Sequence, residues 1–213
     1  MAIDTVTTSR RGDLILADAA QRCAARAQLG LPAQGRCILL VGNDFRKKGV
    51  PALLQALSQM PADVYLAVVG NAAQQSLVQV DLQASGPTDR VFFLGALMAV
   101  DAAYQAADCL AHPTLEDSFA MVVLEAMSHG LPVVVSDAAY CGIAAELRDG
   151  QEALLLPDPC DVQALTLTLR RVLDDDALTA HLRKHGLEFA RRHLWSQIAV
   201  QQEAVYQRIA EAR

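Results

Sequence analysis

The sequence is poor in lysine, in aromatic residues and in paired cysteines, and each shortage removes a class of protein. Lysine occurs three times among 18 cationic residues, and two of the three, Lys47 and Lys48, are adjacent. With 24 acidic residues the net charge is −6, which argues against general binding to phosphate backbones, since that needs a basic face. The five cysteines (Cys23, Cys37, Cys109, Cys141 and Cys160) include no C-x-x-C pair. Neither a disulfide framework nor a zinc knuckle follows, and reduced thiols in a cytosolic chain are the simple reading. No stretch approaches the ~20 apolar residues of a membrane span. The opening MAIDTVTTSRRGD has no apolar core of the kind signal peptides carry. A Walker loop and a G-x-G-x-x-G fingerprint are both missing, which withdraws support from nucleoside-triphosphate and NAD chemistry.

What is present is a chain of 213 residues with 53% hydrophobic and 20% charged side chains. That length suits one generous domain, or one domain with extra terminal helices, and folding should bury roughly 70% of the unfolded surface. Short runs rich in Val, Ile and Leu alternate with longer helical patterns. Strands are expected at Cys37–Gly42, Val64–Gly70, Val91–Gly95, Asp108–His112, Pro132–Ser136 and Ala153–Pro157. Most are continuous apolar runs, as suits strands covered on both faces. Helices are expected at Leu14–Leu29, Val50–Met60, Ala73–Ala84, Met98–Ala107, Phe119–His129, Ile143–Arg148, Asp161–Leu173, Ala177–Arg192 and Ser196–Ala212. Strand and helix alternating through short loops imply a doubly wound α/β domain: a Rossmann-like parallel sheet of about six strands. In such sheets ligands sit beyond the carboxyl ends of the strands. The loops that follow the strands therefore carry the functional argument.

The first such loop reads Gly42-Asn43-Asp44-Phe45-Arg46-Lys47-Lys48-Gly49 and opens a helix. Cations at a helix start oppose the macrodipole by about a few tenths of a kcal/mol each, so an anion placed there would relieve them. Gly49 permits close approach and the helix start offers amides, which together could hold a phosphate. The fourth strand ends in His112-Pro113-Thr114-Leu115-Glu116-Asp117-Ser118, with Asp117 or Ser118 as a plausible helix cap. The next helix is apolar nearly all round, yet Glu125 shares an arc with Met121, Ser128 and His129. A buried carboxylate needs hydrogen-bond donors from the protein or from a ligand, and a vicinal diol of a sugar supplies two. The fifth strand leads into a small-residue turn around Gly142 that would aim amides at the same crevice. A cationic loop, an acid pair and a glycine nest facing one cleft suit an anionic, polyhydroxylated ligand such as a nucleotide-sugar.

The run HPTLEDSFAMVVLEAMSHGLPVVVS, from His112 to Ser136, resembles the signature of the family 4 retaining glycosyltransferases. That signature is an acid, seven intervening residues and a Glu, followed by A-M-x-x-G-x-P-V; here Glu125 is the second acid and Asp117 the first, where the family usually has Glu. GNDFRKKGVPALLQAL resembles the family's phosphate loop, whose Lys precedes a Gly as Lys48 precedes Gly49. The D-F-x-[RK]-K-G-V run at Asp44–Val50 and the C-G-x-A run at Cys141–Ala144 look most like the lipopolysaccharide-core glucosyltransferases of that family. The resemblance covers roughly residues 36–212.

The resemblance implies a GT-B architecture, in which two Rossmann-like domains flank the active site and the carboxyl-terminal one holds the nucleotide-sugar without a metal or other cofactor. Residues 1–35 would then be a linker and approach helix, 36–194 the domain that binds the sugar donor, and 195–213 a crossover helix anchored by Trp195. Carried over by position, Lys48, with Arg46 or Lys47, would contact the diphosphate, and Asp117 would reach the transferred sugar. Glu125 would accept from the ribose. Gly42 and Asn43 would floor the phosphate loop, although the family often has Arg at the position of Asn43. Amides of Phe119, Ala120, Met121 and Val122 would help at the helix start, with Ala120 where Gly is common. Phe93 and Gly95 would edge the base pocket. The implied activity is transfer of a hexose, glucose from UDP-glucose, to a glycan or lipopolysaccharide acceptor in the bacterial cytoplasm, with peripheral inner-membrane contact in the complete enzyme. The acceptor-binding domain has no counterpart here, so the chain alone is expected to bind its nucleotide-sugar weakly and to transfer nothing. A non-catalytic nucleotide-sugar-binding or scaffolding domain working through a partner chain is the alternative. His181 and His185, four apart on a helix, lack further ligands and read as a solvated face rather than a metal pair.

Overall fold

Every strand except the half-buried β3 presents a largely buried run, and the burial follows from parallel pairing with helices on both sides. The computed structural model describes residues 16–86 and 88–193. Its strands are β1 (Arg36–Val41), β2 (Val64–Val69), β3 (Val91–Gly95), β4 (Cys109–His112), β5 (Val133–Ser136) and β6 (Leu154–Leu156). All five pairings are parallel, in the order β3-β2-β1-β4-β5-β6. The helices are α1 (Ala19–Gln28), α2 (Val50–Ser58), α3 (Gln79–Ser85), α4 (Asp101–Ala106), α5 (Met121–Ser128), α6 (Val162–Asp174) and α7 (Asp176–Arg192).

The two-residue period of the strands sorts their side chains into two cores. Ile38, Leu40, Leu66, Val68, Ala111 and Val134 face a layer that includes residues of α2, α3 and α6. Leu39, Ala67, Leu110, Val133 and Val135 face the opposite layer, with Ala25 of α1, Tyr104 of α4, Val123 and Met127 of α5, and Phe189 of α7. A helix apolar on nearly every side, such as α5, is stable only inside such a layer. The sheet is the Rossmann-like arrangement expected from the alternating pattern.

The helix boundaries depart from the sequence reading where local side chains intervene. The helix expected from Leu14 starts at Ala19, because Asp18 and Gln21 cap each other reciprocally, at 2.8 and 2.9 Å. The helix expected over Ala73–Ala84 is split into a 3-10 segment, Ala72–Val78, and α3. Asn71 takes the Ala73 amide at 3.0 Å, tightening the first turn. Met98 stands fully exposed ahead of α4 rather than inside it. The expected helix Ile143–Arg148 is a 3-10 segment over Gly142–Glu146. The helix Ser196–Ala212 and its Trp195 anchor lie outside the described residues. Among the described residues no helix is long and apolar enough to cross a membrane.

At the amino edge of the sheet a buried arginine joins α1 to the strands. Arg26 donates to the carbonyls of Ala106 (3.0 Å), Gly35 (3.1 Å) and Ala33 (3.3 Å), and to Asp108 Oδ2 at 2.9 Å. Asp108 also accepts from the Cys37 amide at 2.7 Å and from Arg22. Asp108→Ala would leave the Arg26 guanidinium buried without its carboxylate, and should destabilise the fold by about 3 kcal/mol, read from urea unfolding. A loss below about 1 kcal/mol would place this pair with ordinary surface ion pairs.

Candidate functional site

β1 and β4 are neighbours in the sheet, yet α2 and α5, which follow them, pack into opposite layers. Their carboxyl ends therefore open a crevice at the topological switch point. The two loops that leave those strands are fastened together there. The Leu115 amide donates to the Lys47 carbonyl at 2.8 Å, and Thr114 Oγ1 reaches the same oxygen at 3.2 Å. Gly49 has φ +82°, and a β-carbon there would overlap the Pro113 carbonyl oxygen, so both backbone shape and proximity demand glycine. The loop after β5 joins the other side: the Asp117 amide donates to the Tyr140 carbonyl (2.8 Å) and the Gly142 amide to the Asp117 carbonyl (3.0 Å).

Asp117 is the centre of this assembly. Its Oδ1 accepts from the amides of Ala120 (2.8 Å) and Phe119 (3.2 Å). Its Oδ2 accepts from Lys48 Nζ at 2.6 Å and lies 3.1 Å from His112 Nε2. Burial alone would raise the Asp117 carboxyl; the hydrogen bonds from His112 and Lys48, reinforced by the Lys48 charge, overcome it and hold the group well below the usual carboxylate range. Asp117 is thus the acid of the sequence motif, but it does not cap α5: Ala120 holds the cap position without a side-chain cap bond, and Asp117 closes the turn ahead of it.

The amides of Phe119 and Ala120 are occupied by Asp117 itself, which leaves those of Met121 and Val122, the first helical residues of α5, without an intrahelical acceptor by position. Ala120 holds φ 62° and ψ 66°, the left-handed region. It is the one non-glycine residue with positive φ among those described, and it stands where the resembling family favours glycine. One turn into α5, Glu125 Oε2 accepts from Tyr104 Oη of α4 at 2.7 Å. Burial raises the Glu125 carboxyl above its ordinary value, Tyr104 opposes this and Asp101 adds to it. Tyr104 in turn stacks on His129, ring centroids 5.1 Å apart.

The predicted residues divide accordingly. Lys48 and Asp117 meet, and the Lys48 stem lies along Gly42, where a β-carbon would come 2.7 Å from Lys48 Cγ. Arg46 turns away to Asp81 (2.9 Å) and the Leu77 carbonyl (3.0 Å), and Lys47 forms an outer ion pair with Glu116 at 2.8 Å. Asn43 is exposed at the mouth. Phe93 places its ring against Phe45 (5.7 Å), whereas Gly95 accepts from the Gly70 amide at 3.0 Å and continues a glycine ledge from Gly42. Glu125 shares no hydrogen bond with Asp117 or Lys48; its side-chain partner is Tyr104. His181 and His185 are half-buried and lean on each other, with centroids 4.1 Å apart, rather than facing solvent. His112 and Tyr104 were not singled out for the site. A lone polar residue at the end of an apolar strand, on the same face as Leu110, was the available signal for His112; Tyr104 left none.

Residues 21–189 match the family described as Glycosyl transferases group 1. The chain belongs to this family. Phosphatidyl-myo-inositol mannosyltransferase of Mycobacterium leprae is 35% identical over 188 residues, 85% of this chain and 49% of the relative. Lipopolysaccharide glucosyltransferase WaaG of Escherichia coli K12 is 30% identical over 157 residues, covering 72% of this chain and 41% of the relative. The structure of sucrose-phosphate synthase from Thermosynechococcus elongatus superposes with a TM-score of 0.78 at 31% identity, over 94% of this chain and 51% of that one. The chain spans about half the length of the curated relatives it matches. Its sheet is the Rossmann-like unit of a GT-B glycosyltransferase.

Two outcomes follow for this group 1 domain. Ala120→Gly removes the left-handed strain and should raise the unfolding free energy by up to about 1 kcal/mol, the relief exceeding the added chain entropy; an unchanged urea midpoint would contradict it. The folded-state value of Asp117 is depressed, so its ionised form stabilises the fold above the unfolded value of about 4 and loses that contribution as pH falls further. The stability gap between wild type and Asp117→Asn should therefore narrow below that pH in urea titrations.

Proposed function

We propose that this domain binds the nucleotide-sugar of a retaining hexosyltransferase, with UDP-glucose as donor substrate and a glycan or lipid-linked glycan as acceptor. The observation that carries the reading is the Lys48–Asp117 pair at the switch point, 2.6 Å long and largely shielded, with side chains 17% and 16% exposed. An ammonium on a flexible stem, beside free amides at a helix start, suits a diphosphate. A carboxylate beside it suits the hydroxyls of the attached sugar. The relatives include a mannosyltransferase and a glucosyltransferase by name, which supports a hexose; the run shared with the lipopolysaccharide-core enzymes favours glucose.

In this reading the glycosidic bond to the nucleoside diphosphate lengthens toward an oxocarbenium-like state. Lys48 and the amides of Met121 and Val122 meet the charge that grows on the leaving phosphate, which is electrostatic catalysis without a metal. Asp117 orients the sugar. Glu125, whose burial disfavours its ionised form, takes the ribose hydroxyls as further hydrogen-bond donors beside Tyr104. Transfer itself uses the acceptor-binding half of the GT-B architecture.

Calorimetry with UDP, UDP-glucose, GDP-mannose and pyrophosphate tests the assignment. Lys48→Ala should weaken UDP by at least about tenfold, the loss of one charge-assisted contact. Glu125→Ala should weaken UDP far more than pyrophosphate, and equal losses would remove Glu125 from the ribose. The raised carboxyl of Glu125 costs the fold nothing below its unfolded value, and the cost grows as pH rises from there through its folded value. Glu125→Gln should accordingly stabilise the free chain at neutral pH by on the order of 0.5–1 kcal/mol while weakening UDP.

A further inference from the structure

We propose that His112 is a positioning residue that keeps Asp117 fixed while Lys48 leaves it for the diphosphate of the nucleotide-sugar. The inference rests on the donor-binding reading above and adds to it an order of events and a role for a residue that precedes the two acids. A carboxylate offers about four lone-pair sites. At Asp117 all are taken: two by the amides of Phe119 and Ala120, two by Lys48 and His112. A sugar hydroxyl can be accepted only after one of these donors withdraws.

The four are unequal in mobility. The two amides belong to the backbone that leads into α5. His112 ends β4 and is 0% exposed. Lys48 sits on a flexible stem, and its other contact is the Glu116 carbonyl at 3.3 Å. A diphosphate offers Lys48 more negative charge than one carboxylate does, so Lys48 is the donor that exchanges. The vacated site on Oδ2 then faces the sugar, and His112 is the side chain that still fixes that oxygen. Capture of the diphosphate and recognition of the sugar are thereby coupled through a single acceptor atom.

The state of the imidazole follows from its surroundings. Its Nδ1 is buried with no partner among the described residues. With hydrogen on Nε2, the ring donates to Asp117 and leaves a bare lone pair on Nδ1. A second proton would add a buried charge and an unpaired N–H, both costly. Burial pushes the ring below its ordinary value, Asp117 opposes that and the Lys48 charge reinforces it. His112 is consequently a fixed neutral donor, neither general acid nor general base.

Two measurements test this. In the ligand-free chain, long-range proton–nitrogen correlation spectra at neutral pH should show His112 as one tautomer, with hydrogen on Nε2; a ring protonated on both nitrogens at neutral pH overturns the proposal. In calorimetry, His112→Leu should weaken UDP-glucose by about tenfold or more while UDP changes by less than about twofold. His112→Gln, whose amide nitrogen reaches as far as Nε2, should recover most of that loss. If wild type binds both ligands and His112→Leu leaves their ratio unchanged, or lowers both alike, the histidine has no positioning role. A wild-type chain that binds neither nucleotide would instead strike the donor-binding reading, and the exchange with it.

Discussion

Asp117 draws four hydrogen bonds: from a lysine after β1, a histidine on β4, and two amides of the loop that leads into α5. A carboxylate in this position, with its side chain 16% exposed, would be costly alone. Supplying it with partners requires the loops after β1 and β4 to meet, while the loop after β5 fastens the Asp117 backbone, and the close approaches admit no side chain at Gly49 or Gly142. The shape of the crevice is thus the shape needed to satisfy one charge. Any anion that enters competes with that charge for the same cation.

The remaining features of the cleft work against stability. Ala120 is held in a left-handed conformation that alanine disfavours. Glu125 is half-buried, where its ionised form is unfavourable, offset only in part by Tyr104. His112 carries a buried nitrogen without a partner. Three such departures, at one strand end, the loop after it and one short helix, contrast with the two apolar layers on either side, where the strands alternate cleanly. Local conflicts of this kind are what functional sites store, although buried nitrogens without a partner also occur away from the cleft, at Arg36 and Arg183.

The apolar runs were legible because burial on both faces leaves a parallel strand little choice of composition: each expected strand is present within one or two residues. The helix starts were less legible. Asp18 with Gln21, and Asn71 with Ala73, set boundaries through local side-chain bonds whose competition with helical pairing a periodicity cannot weigh. At the site, Lys48, Asp117 and Glu125 stood out by type and spacing. Arg46 stood out equally, yet it turns to Asp81, 35 positions away, because α3 happens to pass there. Phe93 was expected at the edge of the base pocket, and its ring packs on Phe45 of the loop after β1.

What the sequence determined by itself is therefore the layered α/β architecture and the acid, lysine and glycine positions at the strand ends, since these depend on composition, period and offsets along the chain. Only tertiary structure decided which of those groups meet. The pairing of Lys48 with Asp117, the hydrogen bond of His112 to the same oxygen, and the contact of Tyr104 with Glu125 join residues 69, 5 and 21 positions apart. Whether such groups come within hydrogen-bonding distance depends on strand order and on the hand of the crossovers, which place the ends of β1 and β4 side by side. No short window of residues contains Lys48 together with Asp117.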